Sequence, residues 1–286
     1  MTDLFSKLDG AFADNTLRAY RSDFREFSSW CQVSGLDALC ATPDDMADYV
    51  ESMMETKSPA TIRRRIASLA SLFQLNGLAD SANSPEVVLA LKRMHRQKGR
   101  FQQQAFPLTR DILDQLLAVC SDDIMGQRDR VMLLLGYETM RRRSELCAFT
   151  FEDIETLPKG KHALRMRFSK TDQFGKGKLL AVSETLLAAI DDWGKLTGGK
   201  GRILRGLYSN LSLRDSMSPV TINQRLKQLQ KKAGLSIDGE LSGHSFRVGA
   251  AVDLLEAGES LEKIMLRGGW GAETTAIKYL RAWQGL

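Results

Sequence analysis

Histidine is scarce in this chain, three in 286 residues, and no set of histidine, cysteine and carboxylate has metal-ligand spacing. The four cysteines, Cys31, Cys40, Cys120 and Cys147, form no CxxC pair and lie in apolar helical stretches. They read as reduced packing thiols of a cytosolic protein, which excludes a disulfide framework or a redox pair. No apolar run is long enough to cross a bilayer. The N-terminal MTDLFSKLDGAF has neither the basic start nor the apolar core of a secretory signal. Internal repeats and low-complexity tracts are missing too, so solenoids and disordered arrays are excluded.

What is present is an ordinary globular composition at a length that suits two domains. Net charge is +5 with a pI near 9.0, a modest excess whose distribution says more than its size. Arg63, Arg64 and Arg65 are consecutive, and Lys92, Arg93, His95, Arg96, Lys98 and Arg100 follow within one short segment. Arg141, Arg142 and Arg143 form a third cluster, and Lys227, Lys231 and Lys232 a fourth. Each alone reads as a solvated face. Several in one chain point to a phosphate backbone as partner.

The first hundred residues read as four or five helices. Asn15 is placed to cap a helix with Leu17, Tyr20, Phe24, Phe27 and Cys31 at three- and four-residue steps. Thr42-Pro43, Ser58-Pro59 and Ser84-Pro85 each set a hydroxyl cap before proline. Proline suits the first helical position because that N–H has no partner to lose. The helix from Pro59 buries Ile62, Ile66, Leu69 and Phe73, leaving Arg63, Arg64 and Arg65 mostly on other faces. KGRFQQQAFP, residues 98–107, has no apolar period and reads as a linker. The expected organisation is therefore a helical domain over 1–97, a linker over 98–107 and a larger domain over 108–286. Such a pair of tethered domains could close around a duplex.

In the second part helices are expected from Thr109 (its cap) through Leu117, over 126–137 and around 142–148. Strands are expected at Phe149–Ile154, Leu164–Phe168 and Leu179–Val182, then helices again from Ser183, from Ser218-Pro219 and near 244–257, 260–267 and 273–282. The fold class is mainly α with a small antiparallel sheet.

Of the three histidines, His95 and His162 read as surface residues. His244 stands three positions before Arg247 in LSGHSFRVGAA, so imidazole and guanidinium share a helical face. A phosphate is the anion that best uses a switchable donor beside a permanently charged fork; alone, the pair reads equally well as structural. In TMRRRSEL, Glu145 lies three residues after Arg142 and can orient it, or simply form a surface ion pair. Lys170 sits in the hairpin RFSKTDQFGKGK, and Tyr279 follows Trp270 by nine positions in RGGWGAETTAIKYLR. In isolation these are a solvated lysine and an amphipathic packing residue.

Taken in order, the segments resemble the tyrosine recombinases of the phage integrase family, the Cre type in particular. The family's G-x-x-x-x-R-x-S-E-L motif is met by Gly136, Arg142, Ser144, Glu145 and Leu146, with one extra residue before the arginine. Its hairpin lysine falls on Lys170 and its H-x-x-R box on His244 and Arg247. Trp270 stands where many relatives carry a second histidine, and the nucleophile falls on Tyr279. The resemblance implies a helical core-binding domain joined to a mixed α/β catalytic domain. It implies transesterification through a 3′-phosphotyrosine at Tyr279, with no cofactor and no metal. Arg142 and Arg247 would clamp the phosphate, His244 and Trp270 would donate hydrogen bonds, Lys170 would protonate the leaving oxygen and Glu145 would hold Arg142 or His244.

Double-stranded DNA bearing a specific site is the implied partner, bound by a homotetramer spanning two sites, with a monomer allowed off DNA. The implied setting is the cytoplasm, with a bacterial, plasmid or phage gene as source and the nucleoid as workplace. DNA-contacting candidates are Thr61, Arg64 and Arg65 on the Pro59 helix, and Thr221, Asn223, Gln224 and Lys227 on the Pro219 helix. Two other readings keep the same residues: a type IB topoisomerase, which would relax plasmids without a defined site, and a non-enzymatic DNA-binding relative. In the latter, losses among the catalytic positions are expected, and here every one is filled.

Overall fold

The computed structural model describes residues 3–99, 104–167 and 177–281. The chain divides into two compact units, Met1–Gln103 and Gln104–Leu286.

The first unit is helical: α1 (Asp3–Ser6), α2 (Asp14–Val33), α3 (Pro43–Ser52), α4 (Pro59–Leu75) and α5 (Pro85–Lys98). Thr42, Ser58 and Ser84 do cap the helices that follow them, each hydroxyl accepting a first-turn backbone N–H. Asn15 does not cap α2. The N-cap is Ala13, and Asn15 already lies in the first turn. The expected stripes of α2 and α4 enter the core, with Phe24, Phe27, Ile62, Leu69 and Phe73 buried and Tyr20 partly so, and Tyr49, Val87 and Met94 join them. Phe27 makes an edge contact with Tyr49 at 4.9 Å between centroids.

The second unit contains α6 (Arg110–Ala118), α7 (Ile124–Thr139) and α8 (Arg143–Leu146). A three-stranded antiparallel sheet follows, β1 (Ile154–Thr156), β2 (His162–Met166) and β3 (Lys178–Val182), in the order β1-β2-β3. Helices α9 (Glu184–Thr197), α10 (Pro219–Lys232), α11 (Gly243–Glu256), α12 (Leu261–Gly268) and α13 (Glu273–Arg281) complete the unit. The mainly α architecture with a small antiparallel sheet is thus as expected.

Two local expectations are corrected. The strand expected over Phe149–Ile154 begins only at Ile154, because Asp153 accepts from both the backbone N–H and the hydroxyl of Thr150 and winds residues 151–153 into a 3₁₀ turn. Thr109 occupies the N-cap of α6 but its hydroxyl accepts nothing there. Instead Asp253 on α11 accepts the Arg110 N–H at 2.8 Å. The same carboxylate receives the Tyr137 hydroxyl at 2.5 Å, tying α6, α7 and α11 together.

Helix α11 is the axis of this unit. Its residues from Ser245 to Val252 are buried in an unbroken run, so it shows no amphipathic stripe. Close packing makes this possible: a Cβ at Gly136 on α7 would come within 2.6 Å of the Phe246 ring. Leu108, the first residue of the expected larger domain, donates its backbone N–H to Ser245 O and is fully buried, and Phe106 in the segment read as a linker packs against the same core. Among the described residues no helix is long and apolar enough to cross a membrane.

Candidate active site

The site begins where α7 stops. Met140 takes a left-handed conformation, φ 53°, and is fully buried. For a residue with a Cβ this costs roughly 1–2 kcal/mol, and it reverses the chain so that Arg141, Arg142 and Arg143 diverge. Arg142 is the N-cap of α8. Glu145, three residues on, accepts its backbone N–H at 3.0 Å and its guanidinium at 2.9 Å. Glu145 is buried, and the Arg142 side chain stays 30% exposed. Arg143 lies along the backbone of Gly243, at the start of α11.

Arg247 projects from the first turns of α11 and is only 2% exposed. Among the described residues its Nη1 has no hydrogen-bond partner, and its guanidinium stands 5.0 Å from the centroid of Trp270. Burial, then the positive charges of Arg142 and Arg141, push its pKa down to about 10, with Glu145 and Tyr279 acting the other way. A buried guanidinium without an acid to neutralise it is costly unless an anion arrives. Trp270 in turn packs against Tyr279, with ring centroids 5.6 Å apart. His244, one turn before Arg247, opens to solvent on one side. Burial on the other, followed by the charges of Arg247, Arg143 and Arg142, holds its pKa below the ordinary histidine value.

Five of the predicted residues, Arg142, Glu145, His244, Arg247 and Trp270, are thus brought together with Tyr279 around one cationic cluster. Lys170 lies outside the described residues. A cleft of about 350 Å³ opens beside the cluster, with Arg142, Lys178 and Trp270 in its walls.

The candidate DNA contacts divide. On α10, Gln224 is exposed and Thr221 half-buried, but the Asn223 Oδ1 accepts the Gly243 N–H at 2.9 Å, holding the start of α11. Lys227 pairs with Glu240. In the first unit the Thr61 hydroxyl bonds Ser58 at 2.9 Å. Arg64 makes two hydrogen bonds to the buried carboxylate of Asp23 yet stays half exposed. Arg65 is the correction to a solvent-facing reading: its side chain is 11% exposed and lies among Asp23, Glu26 and Tyr49.

Sequence reasoning passed over Arg141 and Lys178. Arg141 adjoins the predicted Arg142 and Lys178 closes the segment quoted around Lys170, and only the structure shows that Arg141 turns inward. Asp129 was also missed. Fully within the second unit, it accepts from Arg128 on its own helix and from Arg225 on α10, fixing α10 to α7.

Comparison with known proteins follows the same division. The phage integrase family model matches residues 107–284, and the model of the phage integrase N-terminal SAM-like domain matches residues 5–76. An integrase/recombinase XerD homologue of Selenomonas ruminantium is 31% identical over 258 residues, covering 86% of this chain and 75% of the relative. The recombinase Cre of Escherichia phage P1 is 25% identical over 292 residues, covering 95% and 85%. Among solved structures, lambda integrase (75–356), crystallised as a dimer bound to a COC′ core site, superposes with a TM-score of 0.68. It is 17% identical, with 97% of this chain and 92% of that chain covered.

Proposed function

Since the chain belongs to the phage integrase family, we propose that it is a site-specific tyrosine recombinase that cleaves and rejoins DNA through Tyr279. The observation that carries the reading is the stack of Arg247, Trp270 and Tyr279. It sets a buried guanidinium, whose Nη1 has no hydrogen-bond partner among the described residues, against the ring that packs on the phenol.

The tyrosine oxygen attacks the scissile phosphorus, forming a 3′-phosphotyrosine and breaking the bond to the 5′-oxygen. One proton leaves the phenol and one is delivered to the 5′-oxygen, for which Lys170 is the donor. The phosphodiester is exchanged for another phosphodiester, so rejoining needs no nucleotide. Arg142 and Arg247 face the charge that grows on the non-bridging oxygens, with His244 and the Trp270 indole N–H as further donors. Glu145 keeps the Arg142 fork in register. The burial of Arg247 makes the site strongest where water is excluded.

In this reading the first unit is the core-binding domain and the second the catalytic domain. The partner is double-stranded DNA with a defined site, held by a tetramer across two copies. Base and phosphate contacts come from Arg64 and Thr61 on α4 and from Gln224, Thr221 and Lys227 on α10. The work takes place on bacterial, phage or plasmid DNA in the cytoplasm.

The test uses nicked duplexes tiling the DNA that flanks the gene. A denaturation-resistant adduct mapped to Tyr279, absent in Tyr279→Phe while DNA affinity holds, is the expected result. An adduct that persists in Tyr279→Phe defeats the assignment. Sequence-specific binding without any adduct favours the non-enzymatic reading.

A further inference from the structure

We infer that Arg141 is a positioning residue for the nucleophile, acting as a cationic clasp on the C-termini of α7 and α12 that fixes Trp270 and, through it, Tyr279. The inference rests on the transesterase reading for its consequence, but its geometry stands apart from it.

Helices α7 and α12 both end at the site, and each leaves backbone carbonyls without intrahelical partners. Arg141 serves both ends at once. Its Nε donates to Thr139 O at 2.7 Å, and its Nη2 donates to Arg267 O. Two more cations complete the arrangement: Lys178 donates to Leu266 O, and the Arg267 Nε reaches Glu138 O at 3.4 Å. Helix C-termini carry partial negative charge, so cations are favoured there. Arg141 is buried and, among the described residues, has no acidic hydrogen-bond partner, which leaves these carbonyls as its counter-dipoles.

The residues after α12 are seated by this clasp. Gly269 is left-handed, φ 67°, and a Cβ there would lie 2.6 Å from the Arg141 Nη1. The backbone N–H groups of Gly269 and Trp270 both turn back to Met265 O. Trp270 therefore leaves α12 at an angle set by Arg141, and its ring is what touches both Arg247 and Tyr279. Lys178 begins β3, which pairs antiparallel with β2, and its bond to Leu266 O joins that strand to the same helix end.

The test compares the full chain with Arg141→Met, Arg141→Lys and Lys178→Met. Single-turnover adduct formation is read at saturating nicked duplex, beside the affinity for that duplex. The chain also carries 5-fluorotryptophan at its four tryptophans, and a Trp270→Phe spectrum identifies the Trp270 fluorine resonance. Arg141→Met is expected to slow adduct formation about tenfold or more with affinity within about threefold. The Trp270 resonance should shift or broaden while those of Trp30 and Trp193 hold. Arg141→Lys keeps the charge but cannot span two carbonyls, so it should fall between. Lys178→Met should give a smaller loss of the same kind.

Adduct formation within about twofold of the parent and an unmoved Trp270 resonance in Arg141→Met overturn the inference. Should Arg141→Met disturb all resonances together, Arg141→Lys and Lys178→Met decide, and parental behaviour in both overturns it. A parent chain that forms no adduct defeats the transesterase reading instead, while the fluorine spectra still report whether Arg141 holds Trp270.

Discussion

The Arg247 guanidinium lies over the Trp270 indole, 5.0 Å from its ring centroid. The face of the indole is the electron-rich partner a buried cation can use when no carboxylate is at hand. That contact stabilises Arg247 without neutralising it, so its charge remains available to an incoming phosphate. The same ring packs on Tyr279, which places nucleophile and anion clamp against one rigid side chain.

Arg247→Gln removes the charge while leaving a side chain of similar reach. The expected outcome is a fall of about 10²–10³ in single-turnover adduct formation, as for loss of one transition-state donor. Affinity for DNA should drop far less. Thermal stability should be equal or higher, because the substitution takes an unpaired cation out of a buried position. Adduct formation at the parental rate would remove Arg247 from the phosphate clamp.

His244 supplies a pH signature. Its folded pKa is below the ordinary value of 6.5 through burial and the neighbouring arginines. Above that value both folded and unfolded chains hold it neutral. As pH falls below it the unfolded chain takes up the proton first, so stability declines until the folded imidazole is protonated too. Between about pH 7 and pH 5 the melting temperature of the parent should therefore fall more steeply than that of His244→Gln. DNA phosphate in the site opposes the arginine field and should raise the His244 pKa. With three histidines in the chain, NMR of ring-labelled histidine resolves this titration directly. An unchanged titration with and without DNA would remove the imidazole from the phosphate.

The sequence made the helices easy to read where punctuation and period agree. Ser58-Pro59 with Ile62, Ile66, Leu69 and Phe73 specifies both the start and the buried face of α4. Helix α11 was legible as a helix near 244–257 but its burial was not, since a helix buried on every side has no stripe to betray which face packs. The three consecutive arginines show the limit most clearly. Arg141 goes inward, Arg142 to Glu145 and Arg143 along Gly243, because a buried left-handed residue at Met140 turns the chain. Nothing local in the sequence marks a methionine for that conformation. Contacts between distant segments, such as Asp253 with Tyr137 and Arg110, lie equally beyond periodicity.

Arg64 and Arg65 are neighbours with different expected phenotypes. Arg65 sits inside the first unit against Asp23, Glu26 and Tyr49. Arg65→Met should destabilise the protein by about 1–3 kcal/mol, the usual cost of stripping a buried polar partner. Arg64 shares Asp23 but keeps half its surface free. Arg64→Met should instead weaken DNA binding and reduce the slope of log affinity against log salt by about 1, as for one lost phosphate contact. Denaturant unfolding and salt titrations separate the two. A salt slope changed equally by both variants would mean that Arg65 swings outward on DNA.

Asn223 decides between reading DNA and holding the site. Its Oδ1 accepts the Gly243 N–H, at the first residue of α11, one position before His244. An aspartate keeps that acceptor and adds negative charge at a helix N-terminus, which is worth about 0.3–1 kcal/mol of stability. The same charge would sit beside the arginines meant for phosphate and compete with it. Asn223→Asp should therefore melt at the parental temperature or above it, yet form adduct about tenfold more slowly. Asn223→Ala, which leaves the Gly243 N–H without its partner, should lose both stability and rate. If Asn223 reads a base instead, both variants should keep parental stability and change only which duplexes are cleaved. Melting curves and cleavage of a randomised-site duplex pool distinguish these outcomes, because the positional role moves the first measurement and the reading role only the second.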